Sequence, residues 1–292
     1  MGQMILKSWR GVLLLVSVAG LFPLASPAAD GLDAEINQAI ERLYNADYQK
    51  AHGHLDRYVG AQPDDPLGYS LRASAFLFSE LDRLGILESE FFADDKRIIE
   101  KKRLKPDPAV KQKLFATIDE AQVRATKVLA EKSDDQNALF CMAVTQGITM
   151  DYTALVEKRQ LSSLSSARRS NGYAQRLLKI NPQFYDAYLT TGFSEYLLAS
   201  LPFYVRWFVH FDDVSGSKDR AIHNLQLVAK WGRYLKPFAR IMLAIVYLRE
   251  KQPLQTRALL AELASEYPKN ELIRKELSKV TAQIEGGAVL TQ

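Results

Sequence analysis

Tyr48-Gln49-Lys50-Ala51-His52-Gly53-His54-Leu55, closed by Pro63, and Ala221-Ile222-His223-Asn224-Leu225-Gln226-Leu227-Val228 decide the fold. Each places a small residue one helical turn before an apolar one. The small residue lets two helix backbones approach, the apolar residue fills the seam between them, and a proline ends the helix. The same half-motif recurs about Ala121, Ser170 and Thr256.

The five small-residue positions, Ala51, Ala121, Ser170, Ala221 and Thr256, stand 70, 49, 51 and 35 residues apart. A partner helix falls before each later one. Tyr69 and Ala73 follow Pro63; Leu139, Met142, Ala143 and Gly147 follow Ser133-Asp134-Asp135; Tyr188 and Gly192 follow Pro182; Leu243, Ala244 and Tyr247 precede Thr256. The last second helix carries Leu260 and Leu263 and ends at Pro268. Turn chemistry agrees. Asn45-Ala46-Asp47-Tyr48 suits a tight helix–helix connection, and Pro63-Asp64-Asp65-Pro66 and Asn181-Pro182 separate consecutive units.

This pattern resembles the tetratricopeptide repeat (TPR), a helix pair of about 34 residues, in divergent form. The signature tryptophan is missing, and Ser170 and Thr256 stand where alanine is usual. The resemblance implies an all-α, right-handed solenoid of about five helix pairs. Such repeats fold by stacking, since one unit cannot bury its apolar face alone. It also implies a non-catalytic scaffold that binds a protein or peptide, in the concave groove or along an edge. A helix near Asp33–Leu43 caps one end and an amphipathic helix from Asn270 to Ile284 the other, with a frayed tail from Gly286.

The excess over the repeat length sits between first and second helices, at roughly 85–108, 152–166 and 200–217. Equivalent turns of a stacked array line up, so these insertions are expected along one edge.

The third insertion, Leu201-Pro202-Phe203-Tyr204-Val205-Arg206-Trp207-Phe208-Val209-His210-Phe211-Asp212-Asp213, repeats aromatic residues every four positions. That spacing makes an aromatic face on a short helix. Phe203, Tyr204, Arg206, Trp207, Phe208 and Phe211 are the candidate partner-binding residues, but the favoured reading of the stripe is a helix folded back to cover a long apolar seam of the solenoid, since buried aromatic stripes are usually core. A membrane-surface or lipid-binding module built on 200–217 is a second functional reading. Val214-Ser215-Gly216-Ser217-Lys218-Asp219-Arg220-Ala221 follows. Together with the aromatic run it has a fainter resemblance to the mitochondrial inclusion-body-clearance TPR proteins. Plain helix-start chemistry, Ser217 as cap and Asp219 in the first turn, accounts for the same residues.

The N-terminus has the three-part layout of a secretory signal: basic Lys7 and Arg10, an apolar run from Val12 to Leu24, then Ser26-Pro27-Ala28-Ala29. Residues 1–29 are read as a signal peptide cleaved after Ala28 or Ala29, 30–285 as the repeat domain and 286–292 as tail. An uncleaved anchor is the alternative, although Pro23 interrupts a run short for a span. The expected location is periplasmic or secreted, and no lipoprotein cysteine follows the run. Without Lys7 and Arg10, the 38 basic and 34 acidic residues become 36 against 34. That balance argues against a nucleic-acid partner. Peripheral membrane contact stays open.

Cys141, the only cysteine, lies in Ala138-Leu139-Phe140-Cys141-Met142-Ala143-Val144 and reads as a small core residue. His52-Gly53-His54 puts neighbours on different helix faces, poor for a shared metal. His210 with Asp212 and Asp213 is a weak oxygen–nitrogen set, on which a hydrolase or metal-dependent enzyme using the insertion edge would be built. Asp94-Asp95-Lys96-Arg97 through Lys101-Lys102-Arg103 reads as a solvated helix face, with a docking surface for an acidic partner as the alternative. No phosphate loop, nucleophile elbow or His-Glu-x-x-His occurs. No catalytic residue, metal site or cofactor is assigned.

Overall fold

The computed structural model describes residues 27–87, 105–200 and 216–289. Eleven α-helices run through them: α1 Pro27–Tyr44, α2 Tyr48–Ala61, α3 Pro66–Arg83, α4 Pro108–Glu131, α5 Gln136–Asp151, α6 Gln160–Ile180, α7 Tyr188–Ser200, α8 Lys218–Trp231, α9 Lys236–Arg249, α10 Pro253–Glu266 and α11 Glu271–Val289. Each packs on the next, which gives five antiparallel pairs and a terminal helix. This is a TPR-like all-α solenoid.

The small-residue register explains the seams. Ala51, Ala121, Ser170, Ala221 and Thr256 are all buried. Where alanine is replaced, the hydroxyl bonds back across the seam: Ser170 Oγ donates to Ala143 O at 2.7 Å and Thr256 Oγ1 to Ala244 O at 3.3 Å. A methyl-sized residue is still what the seam accepts, and its polar atom is satisfied there.

Helix starts follow the acids in the turns between pairs. Asp65 caps α3 at Leu67 N (2.9 Å), Asp135 caps α5 at Ala138 N (3.1 Å), and Asn270 accepts from Ile273 N (3.0 Å). For α9 the cap comes from another pair. Buried Asp186 accepts from the N–H groups of Arg233, Tyr234 and Leu235 at 2.8, 3.0 and 2.7 Å.

The solenoid closes on itself. Tyr44 at the end of α1 packs on Tyr267 beyond α10, ring centroids 5.6 Å apart, and on Phe78 of α3 at 6.0 Å. Phe78 meets Phe238 of α9 edge-on at 5.3 Å, and Phe140 of α5 lies between Phe184 and Tyr234 at 5.2 and 5.5 Å. Polar contacts rivet the same joint. Arg233 pairs with Asp33 at 2.7 Å, Asn45 Oδ1 accepts from Lys269 N at 3.1 Å, and Asn270 Nδ2 donates to Tyr44 O at 2.8 Å.

Closure bears on one of the two faces expected to bind. The first helices do not line an open concave groove. α3 and α5 are buried on nearly all sides, and the chain's own aromatic rings occupy the concave face. Cys141 is fully buried there, and burial pushes its thiol far above the usual range. The stretch Gln136–Val156 is long and apolar enough by composition to cross a membrane, but over half of it is buried in this core.

Candidate functional site: the insertion edge

Antiparallel pairing puts the five turns that join first to second helices at one edge. Four of them share a backbone feature, one residue with left-handed φ two positions past the helical segment: Ala46, Gly85, Lys158 and Lys251, at 59°, 66°, 57° and 58°; in the fifth the described left-handed residue is Gly216 (72°), just before α8. At three of them the helix end is also the same, with the following N–H reaching back five residues: Asp47 to Arg42 O, Ile86 to Leu81 O and Gln252 to Tyr247 O. This is the Schellman C-cap. The insertions therefore lengthen turns that exist in every pair.

Two of the second helices are longer than the others. α2, α8 and α10 each begin three residues before their register residue, whereas α4 begins 13 before Ala121 and α6 begins 10 before Ser170. The extra ten and seven residues extend these helices by roughly 15 and 10 Å at 1.5 Å per residue. The segment expected as an insertion over 152–166 is thus a π-helical turn, Tyr152–Val156, and the first turns of α6. Its second half continues the register of α6 and needs no separate loop. The extensions share a core of their own, in which Leu114 and Ile118 of α4 pack with Ile148, Tyr152, Val156 and Ile86.

Two buried glutamates tie down the roots of the other insertions. Glu80 on α3, almost fully buried, accepts from Arg83 Nε and a terminal guanidinium N–H, both at 2.8 Å, and from Asp107 N at 2.8 Å. Arg83 also donates to Lys105 O at 2.7 Å, so both ends of the first insertion meet at one ion pair. Glu195 on α7 accepts from Ser217 N at 2.9 Å and faces Arg220 at 3.5 Å. Beside it Glu250 takes the Tyr196 hydroxyl at 3.1 Å and the Lys218 ammonium at 2.7 and 2.9 Å. Desolvation of a buried carboxylate is offset only by such bonds, so each latch is specific to its root. Sequence reasoning passed over both glutamates. Their signal is a lone acid inside an apolar run, Phe76 to Leu81 and Phe193 to Leu198.

Three leucines at this edge face solvent: Leu161 at the start of α6 (85% exposed), Leu254 at the start of α10 (59%) and Leu197 near the end of α7 (41%). Lys111 of α4 pairs with Glu157 beyond the π turn at 2.6 Å, and Arg159 lies 3.5 Å from the same acid. Burial pushes the Asp151 carboxyl up to about 7 and the Tyr152 hydroxyl, which finds no hydrogen-bond partner, up to about 12.

Phe203, Tyr204, Arg206, Trp207, Phe208 and Phe211 lie outside the described residues, as do His210, Asp212 and Asp213. Ser217 and Asp219 start α8 as helix-start chemistry requires, with Ser217 Oγ accepting from Arg220 N at 3.3 Å. His52 and His54 face different surroundings. His52 lies against Phe76 with centroids 4.1 Å apart and the rings tilted by 39°, and His54 Nδ1 sits 2.7 Å from Glu35. Among the described residues no three His, Cys, Asp or Glu side chains converge as a metal site would require.

Comparison with protein-family models gives no match, and comparison with curated proteins gives none either. Among solved structures, the chain is similar to the crystal structure of a thermophilic TPR protein from Thermus thermophilus. The identity is 14% over 86% of this chain and 99% of that one, with a TM-score of 0.46. The helix order and pairing of the chain itself carry the assignment: it is a divergent TPR-like helical repeat.

Proposed function

We propose that this chain is an exported, non-catalytic scaffold that holds a protein or peptide partner against its insertion edge. A closed interior beside an apolar edge carries the reading. The concave face is filled by the chain's own aromatic rings, while Leu161, Leu197 and Leu254 are exposed at the edge where first helices turn into second helices. Exposed apolar residues gathered on one side of a monomer mark contact surfaces more often than scattered ones do. From their sequence spacing alone, the aromatic residues of the third insertion, Trp207 foremost, are proposed as partner contacts, and the N-terminal layout supports export.

The test compares captures from envelope extracts by the unaltered protein, by Leu161→Asp combined with Leu254→Asp, by Trp207→Ala, and by Val123→Asp, an exposed site midway along α4. A partner that survives Val123→Asp but is lost from the edge variants supports the proposal. A partner retained by every edge variant refutes it. Binding of these variants to anionic lipid vesicles, with no protein captured, would favour the membrane-surface reading.

A further inference from the structure

A second surface lies away from the insertion edge. Between α8 and α10, with α9 as its floor, is an open depression of about 340 Å³. Its apolar base is Ala229, Leu243 and Leu259, and its cationic rim is Lys230, Lys236 and Arg240. Lys236, Arg240, Leu243 and Tyr247 recur along one face of α9, so the rim and base follow from helical spacing.

Other junctions of the solenoid are bridged. Arg124, three residues after Ala121, donates from Nε to Pro63 O at 2.5 Å and lies 4.0 Å over the Tyr69 ring. Arg176, six residues after Ser170, donates to Ser133 O. In α10 the positions three and six after Thr256 are Leu259 and Glu262, which line the depression.

The charges there are unevenly used. The Arg240 guanidinium is paired with Glu266 at 2.5 Å. Lys230 and Lys236 have no ion pair among the described residues; Lys230 sits 4.8 Å over the ring of Trp231. Trp231 is 55% exposed at the same end of α8. Gln226 Nε2 donates to the Tyr247 hydroxyl at 2.9 Å, which leaves the Tyr247 O–H free to donate outward. Among the described residues Glu262 is the one acid that lines the depression.

We infer that this depression is a docking site for an acidic peptide segment carrying an apolar side chain. Carboxylates pair with Lys230 and Lys236, the apolar side chain covers Leu243 and Leu259, Tyr247 donates to a backbone carbonyl, and Trp231 closes the end. Unpaired cations around an apolar floor favour this chemistry over a neutral or basic peptide.

The probe is a fluorescent synthetic peptide, Asp-Glu-Leu-Asp-Glu-Phe-Asp-Glu, with a counterpart in which lysine replaces every acid, titrated by anisotropy against the full protein. The acidic peptide should bind, and more weakly as salt rises. Lys230→Glu with Lys236→Glu should weaken it about tenfold or more, and the remote charge reversal Lys127→Glu should not. Leu259→Asp, which puts a like charge on the apolar floor, should abolish binding while circular dichroism stays helical. Equal binding of the two peptides, or an affinity unchanged by both groove variants, would overturn the inference. So would binding of inorganic phosphate or phosphatidylglycerol vesicles at these lysines with no peptide binding.

Discussion

Replacing Tyr44 with alanine tests whether the solenoid is a closed ring or an open row. Tyr44 is 5% exposed, and its ring touches Tyr267 at 5.6 Å and Phe78 at 6.0 Å. Burying an aromatic side chain removes roughly 150–250 Å² from water. At about 25 cal/mol per Å² that is ~4–6 kcal/mol, an upper bound because the unfolded chain already hides part of this surface. Large-to-small truncations of buried aromatics cost about 3–5 kcal/mol, and that is the expected loss. For a chain of this size it lowers the melting temperature by roughly 6–20 °C. Location is the sharper readout. In an open row each pair feels only its neighbours, so damage at α1 should reach α2 and α3 and stop. Here Tyr44 meets residues more than two hundred positions away, so amide exchange should accelerate in α10 and α11 as well. A Tyr44/Tyr267 double-mutant cycle should give a coupling of about 0.5–1.5 kcal/mol. Exchange confined to α1–α3, or no coupling, would refute closure.

Four further outcomes follow from single sites. Glu80→Ala strips Arg83 and the Asp107 N–H of their shared acceptor; it should cost about 1–3 kcal/mol and speed proteolytic nicking between residues 84 and 107. Ala46→Gly and Lys251→Gly relieve left-handed backbone at non-glycine residues, and each should raise stability in urea melts by about 1 kcal/mol. Cys141 should resist alkylation in the folded protein and react only in denaturant, since burial keeps its thiol protonated. Asp151 has a folded pKa of about 7 against a reference of 3.8, so the folded state binds the extra proton; its contribution is full below the reference value and fades as pH rises through 7. Asp151→Asn should therefore stabilise the protein at pH 8 and change little at pH 4.

The helix-pair register was legible because close packing leaves few choices. Ala51, Ala121 and Ala221 are small for want of space, and Pro63, Asp65 and Asp135 stop and start helices by local chemistry that needs no tertiary information. Cys141 was readable for the same reason, as one position in an unbroken apolar run. Closure was encoded less directly. Its sign is that α5 is apolar around most of its circumference, and an apolar run of seven residues reads equally well as one face of a groove or the middle of a core. Asp186 could not be read at all, because it caps α9 from a turn nearly fifty residues earlier. The edge latches were faintly visible, as glutamates with apolar neighbours on both sides. The start of α6 was misjudged because Gln160–Ser166 is mostly polar, and polar residues fit an exposed helix extension as well as a loop.

Closure also bears on why the insertions fall where they do. A repeat row with an open groove can vary its groove side chains and change partners without altering its outline. Here Phe78, Phe140, Phe238 and Tyr267 hold the ring together, so the concave positions are bound by packing and a change there is felt across the joint. The turns at the insertion edge carry no such load. Four of the five leave the helix through a left-handed residue, and chain added beyond Gly85 or before Gly216 leaves the helix seams intact. Long surface connections cost little loop-closure entropy, and a buried glutamate at two of the roots keeps them from loosening the core. A solenoid that has used its inner face for stability has its outer edges left for recognition.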